Sequence, residues 1–215
     1  MSMKAAIFDL DGVIVNTVPL HFKAWQRMFA EYGKEFDFED YKEKVDGILR
    51  IDGARAILTD IDEAELKKAA DKKQVYFLEY LNSEEISVYN DTVDLVKTLK
   101  KEKIKRSAIS SSKNCLPILK KVNLVELFDV ILTGNDVTKG KPDPQVFFMA
   151  AEKMSVEPGS CVVFEDAVLG VEAGKRAGMK CVGVDRHGNP ERLKKADLVV
   201  GDLGEVTVEK IKDLF

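Results

Sequence analysis

Met3-Lys4-Ala5-Ala6-Ile7-Phe8-Asp9-Leu10-Asp11-Gly12 begins as an apolar run and ends in two aspartates one residue apart. Ala5 to Phe8 reads as a short strand of a parallel sheet, apolar throughout because both faces are covered. Open parallel sheets bind ligands beyond the carboxyl ends of their strands, where this strand delivers its acids. Two carboxylates at one strand end repel each other unless a cation or a shared proton sits between them. Gly12 lets the chain turn sharply and leaves room above the acids. A lone Asp-x-Asp is also consistent with an ordinary polar loop, so the more distant segments of the chain carry the weight.

The same alternation continues through the chain. Further strands are expected at Arg106–Ile109, Asp129–Leu132, Cys161–Phe164, Cys181–Val184 and Leu198–Val200, with helical stretches between them, the pattern of βαβ units. The gap between the first two strands is too long for one crossover helix. Residues from about Asn16 to Asn82 look helical instead: Phe22, Trp25, Phe29 and Tyr32 share a helical phase, Gly33 is a stop, and Ala64 to Leu81 continues the pattern. The expected fold is α/β, a Rossmann-like parallel-sheet core formed by residues 1–15 and 83–215. Residues 16–82 form a helical insert after the first strand.

Composition narrows the function. The 215 residues carry 33 basic and 37 acidic side chains, a net charge of -4 with no long single-sign block. That balance gives no electrostatic case for nucleic acid or an anionic membrane as the main partner. No segment approaches the roughly 18 apolar residues of a membrane span. Cys115, Cys161 and Cys181 lie among apolar neighbours without metal-type spacing, as expected of free thiols in a reducing, cytoplasmic compartment. With His21 and His187 the only two histidines, a His-rich zinc site is not expected. The chain is expected to act as a monomer.

Four segments, each after a predicted strand, bear on one chemistry. Asp9-x-Asp11 is the first. Ser110-Ser111-Ser112-Lys113-Asn114 is a hydroxyl cluster that can hold an anion at a helix start, although plain N-cap chemistry explains it too. Lys139-Gly140-Lys141-Pro142 pins Lys141 in a stiff loop, as a fixed cation or a solvated lysine. Glu165-Asp166 is a second acidic pair, followed by Gly170, Gly174 and Gly178 in a helix with small faces. Together, carboxylates from two strand ends suit Mg²⁺, which prefers carboxylates, water and substrate phosphate. Lys141 and Ser110 supply the fixed cation and donor that a transferring phosphoryl group requires. A carboxylate can attack phosphorus and carry the group as an aspartyl phosphate.

These residues, with Asp9-Leu10-Asp11-Gly12-Val13-Ile14-Val15-Asn16-Thr17, resemble in order the four signature motifs of the haloacid dehalogenase superfamily. The resemblance spans the whole chain. It implies a helical cap over the site, Asp9 as nucleophile and Asp11 as general acid/base. Mg²⁺ would be held by Asp9, the carbonyl of Asp11, Glu165 and Asp166, while Ser110 and Lys141 orient the phosphoryl group. Asp11 is absent from dehalogenating members, so phosphoryl transfer is expected rather than carbon–halogen cleavage.

Thr17-x-x-x-His21-Phe22-x-Ala24-Trp25 and Ser110-Ser111-Ser112-Lys113-Asn114 resemble the β-phosphoglucomutase subgroup. Thr17 and His21 share one helix face near the hinge, where His21 would couple cap closure to Asp11, unless it is merely wedged beside Trp25. Gly47-Ile48-Leu49-Arg50 resembles the cap loop whose arginine grips the non-transferring phosphate; Ser111, Lys113 and Asn114 are expected on the substrate as well. Asp46 departs from the subgroup's lysine and Gly53 from its small hydroxyl residue. An acid at 46 would repel phosphate or hydrogen-bond a sugar hydroxyl. The expected activity is mutase-like transfer on a small phosphorylated sugar, with a sugar or polyol phosphatase as the alternative. A receiver that only accepts phosphate is a third class, but receivers are shorter and lack the insert.

Overall fold

The computed structural model describes residues 2–215. Its centre is a six-stranded, all-parallel sheet of β1 (Ala5–Asp9), β4 (Lys105–Ile109), β5 (Val130–Leu132), β6 (Cys161–Glu165), β7 (Lys180–Val184) and β8 (Leu198–Val200), in the order β5-β4-β1-β6-β7-β8. All six strands predicted from the sequence are present, with ends displaced by at most one residue. Asp129 stands just before β5, where its carboxylate accepts from the Arg106 backbone N–H at 2.8 Å.

The central strand is apolar on both sides because both sides are covered. Ala6 and Phe8 pack with Leu95, Val96 and Leu99 of α5 (Asn90–Lys101), Ile118 and Leu119 of α6 (Cys115–Lys121) and Ile211 of α9 (Val208–Lys212). Ala5 and Ile7 point the other way, onto Phe147 and Ala150 of α7 (Gln145–Lys153) and Val171 of α8 (Val168–Arg176). Phe8 stacks on Phe164 of β6 with centroids 4.5 Å apart. Burying each such ring contributes roughly 1.5–3 kcal/mol.

Between β1 and α5 the chain leaves the sheet for a helical unit: α1 (Val18–Glu31), α2 (Phe38–Asp40) running into a π-helical turn Tyr41–Val45, α3 (Arg50–Ile57) and α4 (Glu63–Ser83). Pro19 sits in the first turn of α1, and Gly33 follows its end at φ +65°. Asp62 caps α4 by accepting from the Glu65 N–H at 2.8 Å. Val18, Trp25, Met28, Phe29, Tyr41, Leu58, Leu66 and Ala69 make a core of their own. Phe77 and Leu81 of α4 instead join the sheet's core, so the insert is packed onto the sheet. The outgoing and returning segments pair as a two-residue antiparallel ribbon, β2 (Val15–Asn16) with β3 (Ser87–Val88).

β1 lies between β4 and β6, so the crevice at its carboxyl end is flanked by the ends of both neighbours. Gly178 is not within α8: it comes after the helix at φ +73°, a left-handed stop.

Candidate active site

Strand pairing sets Asp9 beside Glu165. β1 and β6 run in register through Phe8 and Phe164, so the next residue on each strand is an acid. Asp166 comes next, and one oxygen each of Asp9, Glu165 and Asp166 falls within 4.8 Å of the others, all three residues buried. Gly12 at φ +82° is required there, since a Cβ would collide with the Asp166 carboxylate. Gly170 likewise lets α8 pass close to Glu165. This oxygen-only donor set fits a hard divalent cation such as Mg²⁺.

Lysines supply charge from two directions. Lys141 Nζ lies 2.6 Å from Asp9 Oδ1 and also pairs with Glu165 Oε1. From the insert, Lys42 Nζ pairs with Asp46 and reaches Asp166 Oδ2 at 3.2 Å. Burial raises Asp9 well above the usual carboxylate range; Lys141 opposes the shift, while Glu165, Asp11 and Asp166 add to it.

Asp11 behaves in the opposite way. Burial pushes it up, but His21 and the hydroxyls of Thr17 and Ser110 more than offset this, and it is held below the usual range. Thr17 donates to Oδ1, Ser110 donates to Oδ2 at 2.9 Å, and His21 Nε2 stands 3.3 Å from Oδ1. The His21 ring stacks on Phe77 at 4.1 Å, so packing fixes it while its nitrogen faces Asp11. Ser110 also accepts from the Ser112 N–H at 2.9 Å; its hydroxyl therefore serves Asp11 here.

Above the acids is a cavity of about 430 Å³, lined among others by Asp9, Asp11, Trp25, Asp46, Arg50, Lys73 and Lys113. That size suits a small metabolite. Arg50 Nη1 bonds Gln74 Oε1 at 2.6 Å, and Gln74 Nε2 donates to Asn114 Oδ1 at 2.8 Å. Ser111 Oγ donates to the Gly47 carbonyl at 2.7 Å, tying sheet to insert. Asp46 is not a free acid in the cavity, because Lys42 compensates it. Gly53 is required by Trp25, whose ring a Cβ would meet at 2.8 Å.

Lys42, Lys73 and Gln74 are not singled out by the sequence. Lys73 carries a signal nonetheless: on α4 it falls in the buried stripe Leu66, Ala69, Ala70, Lys73, Phe77. A lysine in an apolar phase is placed there by something other than solvation.

Residues 6–184 match the model of the haloacid dehalogenase-like hydrolases. The chain belongs to that family. Among haloacid dehalogenase-like proteins it is 34% identical to a β-phosphoglucomutase of Bacillus subtilis, over 98% of this chain and 95% of that protein. It is 33% identical to a phosphorylated carbohydrates phosphatase of Thermotoga maritima, over 83% of each. A crystal structure of a β-phosphoglucomutase from Clostridium difficile superposes with a TM-score of 0.90 at 31% identity, covering 99% of this chain and 96% of that one. Among the described residues, no helix is long and apolar enough to cross a membrane.

Proposed function

We propose that this protein is a metal-dependent phosphotransferase acting on a small phosphorylated sugar in the cytoplasm, β-phosphoglucomutase-like, with residues 16–82 serving as its cap. One observation carries the reading: Asp9 stands in a buried three-acid cluster, and Asp11 beside it is gripped by Thr17, Ser110 and His21. Two aspartates one residue apart are thereby given different electrostatic tasks.

Asp9 is the nucleophile. Its oxygen attacks phosphorus, the bond from phosphorus to the substrate oxygen breaks, and Asp9 carries the phosphoryl group as an acyl phosphate. Asp11, when protonated, gives its proton to the departing oxygen, and as the resulting carboxylate it takes one from the hydroxyl that next attacks the phosphoryl group, so the proton returns. Thr17 and Ser110 donate to that carboxylate and hold it in place. Lys141 steadies Asp9 and its developing charge. Arg50 and Lys113 line the cavity where a second phosphate of a bisphosphate can be gripped, Asn114 is bonded to Gln74 beside them, and Lys73 faces the same cavity. A divalent ion on Asp9, Glu165, Asp166 and the Asp11 carbonyl, when bound, supplies charge stabilisation for the phosphoryl oxygens.

Mutase and phosphatase differ in whether a sugar hydroxyl or water takes the group from Asp9. The contacts that seat the insert, Ser111 on Gly47 and Gln74 on Asn114, favour exclusion of water and hence the mutase. The likeness to a carbohydrate phosphatase keeps hydrolysis as the second reading. Pure protein with Mg²⁺, β-glucose 1-phosphate and a bisphosphate activator should yield the 6-phosphate. Accumulation of free phosphate alone, there and across a panel of sugar and polyol phosphates, would establish the phosphatase.

A further inference from the structure

Lys42 belongs to the insert, yet its ammonium sits on an acid of the metal cluster 124 positions further along the chain. Its side chain is only 5% exposed. Asp46, one turn on, holds the same Nζ, and Arg192 of the core donates to the Lys42 carbonyl at 2.9 Å. The insert also passes close to the core at Gly47, where an added Cβ would meet Ala167 at 2.9 Å. While the insert is seated, the Lys42 ammonium is held between Asp46 and Asp166.

Each acid of the cluster then has an oxygen engaged by an ammonium group. Lys141 spans Asp9 and Glu165, and Lys42 takes Asp166. A divalent ion must share these same carboxylates with the two ammonium groups, and at such short range in a buried site it repels them. We propose that Lys42 is a positioning residue that sets insert seating against divalent loading, so that the two become compatible only when a phosphorylated substrate adds its negative charge. Metal alone loosens the seated insert; metal with phosphate restores it. The proposal rests on the metal-centre reading above.

The test is binding of Mn²⁺ without substrate, followed through the electron paramagnetic resonance of the free ion. Removing Lys42 alone leaves Asp46 buried beside an empty place, so the informative variant is Lys42→Met combined with Asp46→Asn, which conserves net charge. Its dissociation constant for Mn²⁺ should fall about tenfold, and Lys42→Arg should stay near wild type because it keeps the cation. A structural role alone would not tighten metal binding. An unchanged or weakened affinity in the double variant, with circular dichroism unaltered, overturns the role of Lys42 and leaves the metal centre standing. Should neither wild type nor variants bind Mn²⁺, the metal-centre reading fails and this proposal falls with it. If the double variant does not fold, Lys42→Gln combined with Asp46→Asn is titrated in its place under the same criterion.

Discussion

Lys73 Nζ lies 2.8 Å from Nδ1 of His21, and among the described residues no carboxylate pairs with it. It rests between the faces of Trp25 and Phe77, each centroid 5.0 Å away. Around it stand His21 of α1, Arg50 of α3 and, more distantly, Asp11. Lys73 thus offers the cavity a positive charge whenever it is protonated.

Burial, reinforced by Arg50, pushes Lys73 down to about 7. Below that pH the side chain is charged; above it, a neutral amine. Sulfate, whose own charge is constant here, should inhibit more strongly at pH 6 than at pH 8, by about tenfold. Lys73→Met should lose the dependence. Burial and the charge of Lys73 lower His21 too, with Asp11 opposing them. In the unfolded chain the lysine keeps its proton to about 10.5, so folding releases a proton and stability should rise with pH between about 7 and 10.5. Urea titrations at two pH values in that window, for wild type and Lys73→Met, measure the difference.

Asp9→Asn keeps the shape of the site and removes the nucleophile. Turnover should drop by at least about 10⁴-fold, with the melting temperature little changed. Acid-quenched protein exposed to labelled phosphate donor should retain label in the wild type and none in the variant.

Gly47→Ala places a methyl where φ is +75° and Ala167 is 2.9 Å away. The conformational part alone costs about 1 kcal/mol, and the contact adds to it. The insert should seat poorly, so KM should rise and more phosphoryl groups should pass to water. The ratio of free phosphate to isomer, followed over time, reads this directly. A ratio equal to wild type would mean that seating does not govern water entry.

Phe77→Ala empties a fully buried position shared by the insert and the sheet. The loss should be about 3–5 kcal/mol by urea denaturation. It should also remove the surface that His21 stacks on, lowering kcat beyond the stability effect.

Much of this molecule is readable from its chain. Strands buried on both faces leave continuous apolar runs, so Ala5–Phe8 and Cys161–Phe164 stand out, and the acids at their ends come with them. The family motifs then place Ser110 and Lys141 in the same crevice. What stays hidden depends on contacts between distant segments. Lys42 is one of many lysines in a polar stretch, and it lies in a π-helical turn where no 3.6-residue spacing points inward. Asp46 looks like a free acid in the sequence because its partner four residues earlier gives no sign of being buried. Gln74 becomes meaningful only once α4 is set against the start of α6, where it meets Asn114.

The β2–β3 ribbon has a bearing on descent. Val15 and Asn16 leave the sheet opposite Val88 and Ser87, which return to it, so the long excursion begins and finishes at one spot. Strand spacing is then indifferent to how much polypeptide lies between. Selection can lengthen, shorten or recolour the roof over the cavity while the floor of acids keeps its layout, and a lineage can change diet without relearning its chemistry.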